Sequence, residues 1–109
     1  MPRAEQVNSL LQQELASAIS QEIPLRGGLI TVMRVDCTPD LREADVFVSV
    51  LPEKFSGTVL ENLRKKTSHI VQMVGRRVRL KRMPTIFWKL DTTEREAAQL
   101  ETLFEQMSS

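Results

Sequence analysis

From Val59 to Val78 the apolar side chains recur at a spacing that only an α-helix gathers onto one side. With Leu63 set at zero and about 100° per residue, Val59, Leu60, Leu63, Thr67, Ile70, Val71, Val74 and Val78 fall within about 120° of arc. The opposite side receives Lys65, Ser68, His69, Gln72 and Arg76, and no proline interrupts the run. A stripe of this length needs an apolar surface to lie on, and the segment ahead of it supplies one. Ala44, Val46, Val48 and Val50 alternate with Asp45, Phe47 and Ser49, which predicts a strand over Ala44–Leu51 with one apolar face.

The other elements follow from the same reading. Val7, Leu10, Leu11, Leu15, Ala18, Ile19 and Ile23 predict a first helix, stopped by Pro24 and the Gly27-Gly28 pair. Leu29 to Asp36, with Ile30, Thr31, Val32 and Val35, predicts a strand that turns at Thr38-Pro39-Asp40 into the second, a hairpin. The long helix opens at Ser56 or Gly57; after a turn near Gly75 and an extended arm to Pro84, a third strand spans Thr85 to Leu90. Ile86, Trp88 and Leu90 share its inner face, and a helical connection lets strands two and three run parallel. Asp91-Thr92-Thr93-Glu94 reads as a helix start, with Ala97, Leu100, Leu103, Phe104 and Met107 as the apolar side of a last helix. The order α-β-β-α-β-α is that of one α+β domain over residues 1–109, helices on one face of a three-stranded sheet, Phe47 and Phe87 on the other.

Charge is divided as sharply as hydropathy. The net charge of the chain is only +1, yet residues 62–90 hold nine lysines and arginines and no acid, while the flanking segments are each net −4. Charge runs are usually solvated faces with acids interspersed; this one has none from Arg64 to Lys89. Crowded like charges mildly destabilise the free protein, so the tract points to a polyanion, with arginines suited to bidentate phosphate contacts and lysines to point contacts. Lys65, Lys66, Arg76, Arg77, Arg79, Lys81 and Arg82 are the candidate phosphate contacts, with Ser68, His69 and Gln72 as polar neighbours. Arg79 and Lys81 share one side of the arm while Leu80 turns inward. With no tyrosine and few aromatics, base reading is under-equipped; Phe87 is a stacking candidate and Trp88 a core residue.

Catalysis and metal binding find little support. His69 is the one histidine and Cys37 the one cysteine, so neither a metal site nor a nucleophile with its base is spelled out. Gly27-Gly28 is a turn and not a phosphate loop. No cofactor or small-molecule substrate is expected, and no enzyme. A lone cysteine precludes an internal disulfide, no run of 18 apolar residues occurs, and the N-terminus is polar, so the cytoplasm is the expected location and no membrane partner is expected.

Three passages together resemble the bacterial ribosome-binding factor A family. They are the N-terminal helix from Glu5-Gln6-Val7 to Ile23, the turn and strand from Val35 through Thr38-Pro39-Asp40-Leu41 to Val50, and the segment from Ile70 to Asp91. The last is the most specific: Gly75-Arg76-Arg77, then Arg79-Leu80-Lys81-Arg82, a proline at Pro84, and an apolar strand ending in Asp91. The resemblance spans nearly the whole chain. It implies a type II KH-like fold in which the central helix is two helices meeting at a kink. It also implies a monomeric, non-enzymatic assembly factor that binds free small (30S) ribosomal subunits and their 16S rRNA. Late rRNA processing at the 5′ end and growth in the cold are further implications. The family replaces the GxxG loop of ordinary KH domains by an Ala-x-Gly kink; the matching positions here read Lys66-Thr67-Ser68. Two other readings of the basic tract stand beside this one: a protein-interaction module meeting an acidic partner, and a generic KH-type binder of DNA or messenger RNA.

Overall fold

A computed structural model describes residues 4–91. Helix α1 (Ala4–Glu22) leads into strands β1 (Leu29–Cys37) and β2 (Glu43–Leu51); a 3-10 turn at Glu53–Phe55 precedes helix α2 (Ser56–Arg77), and strand β3 (Thr85–Leu90) follows. The sheet order is β1-β2-β3, with β1 antiparallel to β2 and β2 parallel to β3. This is the expected α+β, KH-like arrangement, the hairpin strands each one residue longer than read and the 3-10 turn unforeseen. The helix expected on Ala97, Leu100, Leu103, Phe104 and Met107 lies outside the described residues.

Alternation places Ala44, Val46, Val48 and Val50 of β2 inside, together with Ile86 and Trp88 of β3. Both helices cover that face: Leu11 and Leu15 of α1 and Leu63 and Ile70 of α2 are wholly buried in the same cluster. Burying each such side chain contributes about 1.5–3 kcal/mol. In β1 the alternation breaks at a bulge between Val32 and Arg34, so that Val32 and Val35 point inward and both Met33 and Arg34 point outward. Gln12 of α1 reaches this irregularity, its Nε2 lying 3.3 Å from the carbonyls of both Val32 and Met33. At the other end of β1, the Cys37 N–H donates to Asn8 Oδ1 at 2.8 Å, which ties the start of α1 to the hairpin turn.

The central helix departs from the resemblance. It is one unbroken α-helix from Ser56 to Arg77, so the two helices implied at Lys66-Thr67-Ser68 are a single element. The cause lies in those residues. No glycine is present to loosen the backbone there, and the Thr67 hydroxyl, which donates to the Leu63 carbonyl one turn back at 2.7 Å, does so without breaking the helix. The same oxygen accepts the indole N–H of Trp88 at 2.8 Å, so a half-buried threonine in the apolar stripe satisfies the polar atom of a core tryptophan. The turn expected near Gly75 is also displaced. Gly75 sits within α2, and the helix ends at Arg77 with Val78 extended as its C-cap. Burial of Val74 and Val78 on either side holds the glycine in helix despite its cost of about 1 kcal/mol relative to alanine.

Candidate nucleic-acid interface

Periodicity places cations on one helix in several directions, and the neighbours of α2 decide what each does. Lys66 and Arg77 lie eleven residues apart, close to three helical turns, on the side that faces α1. The Lys66 ammonium donates to the carbonyl of Glu22, the last residue of α1, at 2.8 Å, where a cation complements the helix dipole. Arg77 Nη1 lies 3.6 Å from Glu14 Oε2 and 3.4 Å from the Ser17 hydroxyl. That carboxylate oxygen is buried without a hydrogen bond among the described residues, so the Arg77 charge is its nearest compensation. His69 Nε2 lies 3.3 Å from Glu22 Oε2. Three of the ten candidate residues therefore hold α2 against the acidic side of α1.

The outward side of α2 carries Lys65, Ser68, Gln72 and Arg76, all exposed. Lys65 meets Glu61 one turn back at 3.3 Å, with both side chains about two-thirds exposed. Such a pair contributes only about 0.3–0.5 kcal/mol and exchanges readily for another anion. Arg76 has no ion-pair partner among the described residues. Beyond the helix, Arg79 and Lys81 are exposed on either side of Leu80, which packs against the core as expected, and Arg82 is exposed beside them. None of these three has an ion-pair partner among the described residues. The loop is held from beneath by buried Pro84 and by Met83, which crosses α2 where Gly75 leaves room; a Cβ there would lie 3.4 Å from Met83 Cγ.

The rest of the tract lies apart. Lys89 reaches Asp45 at 3.2 Å on the sheet face that no described helix covers, where Arg34 stacks over Phe47 at 4.1 Å. Phe87 is exposed on that face, and Trp88 is core. Arg64 borders a shallow cleft with Phe87 and Lys89, beside β3. The candidate surface that results is a cationic end, Arg76, Arg79, Lys81 and Arg82, continued along α2 by Gln72, Ser68 and Lys65. Cations on a short span with no ion-pair partner among the described residues suit phosphate contacts, with little provision for reading bases.

One cation of this end, Arg42, was missed in the sequence. Thr85 N–H donates to the Arg42 carbonyl at 2.8 Å, so the hairpin turn abuts the end of the basic loop. That turn is cross-braced by the Thr38 hydroxyl, which donates to Asp40 Oδ1 at 2.6 Å. This bond, with the Arg42 N–H as a second donor, holds the Asp40 carboxyl below its ordinary pKa. Burial and then the neighbouring Asp36 charge push the Cys37 thiol up, away from the reactive thiolate. Among the described residues no group of three or more His, Cys, Asp or Glu side chains is placed to hold a metal ion. Among them, too, no helix is long and apolar enough to cross a membrane.

Comparison with known proteins places these features in context. A family model described as "Ribosome-binding factor A" matches residues 3–104. The chain is similar to the ribosome-binding factor A of Akkermansia muciniphila, 32% identical over 105 residues that cover 96% of this chain and 84% of that one. To the protein of the same name from Prosthecochloris aestuarii it is 35% identical over 107 residues, 95% of this chain and 88% of the relative. In structure it resembles the crystal structure of ribosome-binding factor A from Thermus thermophilus, with a TM-score of 0.71 at 26% identity over 80% of this chain and 93% of that one. It also resembles a Thermus thermophilus homology model fitted into a cryo-EM map of that protein's complex with the 30S subunit, with a TM-score of 0.66 at 26% identity, over 78% of this chain and 91% of that one.

Proposed function

The chain belongs to the ribosome-binding factor A family, and from that premise we propose that it is a small-subunit assembly factor which binds free 30S particles through the phosphate backbone of 16S rRNA. The observation that carries the reading is the set of exposed cations at one end of the fold with no ion-pair partner among the described residues, Arg76, Arg79, Lys81 and Arg82. Lys65, Ser68 and Gln72 extend this surface along α2, while Lys66 and Arg77 contribute positive potential from the α1 seam, with His69 as a polar neighbour. A backbone-reading surface recognises the shape of a folded RNA junction, which suits a factor that must tell an immature particle from free RNA. The protein works as one domain and as a monomer in the cytoplasm, by binding and without catalysing a reaction, and needs no cofactor, small-molecule substrate or membrane. Its occupancy supports late processing of the rRNA 5′ end and growth in the cold.

The test is a titration of the purified protein against small subunits, bare RNA of matched length and an acidic protein, each at several salt concentrations. Tightest binding to subunits, falling steeply with salt, is the expected result. Equal affinity for any RNA would favour a generic binder, and preference for the acidic protein would favour an interaction module; either outcome overturns the assembly-factor reading.

A further inference from the structure

The cationic end has a second component that comes from the hairpin and not from the acid-free tract. The parallel register sets Thr85 against Glu43, and the bond from Thr85 N–H to the Arg42 carbonyl falls immediately after the loop bearing Arg79, Lys81 and Arg82. The fold thus joins Arg42 to cations far from it in sequence. Its side chain is 77% exposed, and its ion-pair partner is Asp40, 3.8 Å away and itself well exposed. A contact this long between solvated groups yields to a phosphate offering two oxygens to the guanidinium fork.

The turn is firmer than a spacer between two strands requires. Thr38 N–H donates to the Glu43 carbonyl and Leu41 N–H to the Thr38 carbonyl, both at 2.9 Å. The Thr38 hydroxyl bonds Asp40, and the Glu43 N–H donates to that hydroxyl at 3.1 Å. Leu41 is held at φ 61°, in the left-handed region that a leucine seldom occupies, with its side chain packed against the core. Such backbone persists only where its surroundings over-determine it, and here the result is to aim the next residue, Arg42, outward at a set position.

We propose that the Thr38–Glu43 turn is a second RNA-contacting element, in which Arg42 takes a backbone phosphate beside those held by Arg79, Lys81 and Arg82. The inference rests on the RNA-binding reading above. It is tested on the full chain by measuring affinity for purified small subunits over a salt series. The proteins compared are the wild type, Arg42→Ala, Arg42→Lys, the pair Arg79→Ala/Lys81→Ala, and Arg34→Ala, an exposed cation on the sheet face that no described helix covers. Removing one phosphate contact lowers the slope of log affinity against log salt by about 0.7–0.9. Arg42→Ala is expected to show that drop with several-fold weaker binding near physiological salt, Arg42→Lys to keep the wild-type slope, and Arg34→Ala to leave both unchanged. Thermal melting shows each variant folded, with a small loss for Arg34→Ala, which gives up its stacking on Phe47. An unchanged slope for Arg42→Ala beside a lowered one for the Arg79/Lys81 pair overturns this inference alone. Unchanged slopes for both overturn the RNA-binding reading, and an equal loss for Arg34→Ala reduces Arg42 to general charge and overturns the site.

Discussion

At the scale of single residues, Thr67 shows how a polar group earns its place in an apolar stripe. Its hydroxyl bonds the Leu63 carbonyl and receives the indole N–H of Trp88, so two half-buried polar groups are satisfied by one oxygen. Thr67→Val keeps the shape and strands the indole N–H. It is expected to lower stability by about 1–3 kcal/mol in denaturant unfolding, while Thr67→Ser stays close to wild type. Helical position alone made Thr67 legible as core-facing. The hydrogen bond to Trp88 was not, because it joins residues on separate elements whose register the local sequence does not state. Cys37 and Asp40 are instructive for a different reason: their shifted pKa values come from a half-buried thiol and a braced turn, and neither needs a catalytic role.

At the scale of elements, the helix α2 and its seam with α1 carry most of the lesson. The turn expected near Gly75 reflected glycine's poor propensity, a preference of the order of 1 kcal/mol that burial of Val74 and Val78 overrides. Gly75→Ala is accordingly expected to stabilise the fold by about 0.5–1 kcal/mol by thermal or chemical unfolding, because the new methyl meets only the flexible Met83 side chain at 3.4 Å. Along the seam, Arg77 compensates a buried Glu14 oxygen, whereas Arg79 has no ion-pair partner among the described residues. Arg77→Ala should cost about 1 kcal/mol of stability and Arg79→Ala almost nothing, which unfolding curves of the two variants distinguish. Binding losses on substituting Arg77 therefore mix stability with contact. Those at Arg79 report contact alone.

At the scale of the whole molecule, charge segregation becomes geometry. Cations contiguous in sequence are parted by the fold: Lys66 and Arg77 toward α1, Lys89 onto the sheet face opposite the helices, and Arg76, Arg79, Lys81 and Arg82 at one end. A chain whose net charge is only +1 thereby gathers cations at one end, and subunit affinity should fall linearly in log salt with several phosphates' worth of slope. The elements and their inner faces were determined by the sequence itself, because the periods of 3.6 and 2 are set within each segment by backbone geometry. So was the existence of a cationic region, since no acids are interspersed from Arg64 to Lys89. Which of those cations remain available, and that Arg42 joins them, only the tertiary structure decided. Both depend on how α1 seats against α2 and how β3 registers on β2, and such pairings are made between segments by packing that no single stretch of chain contains.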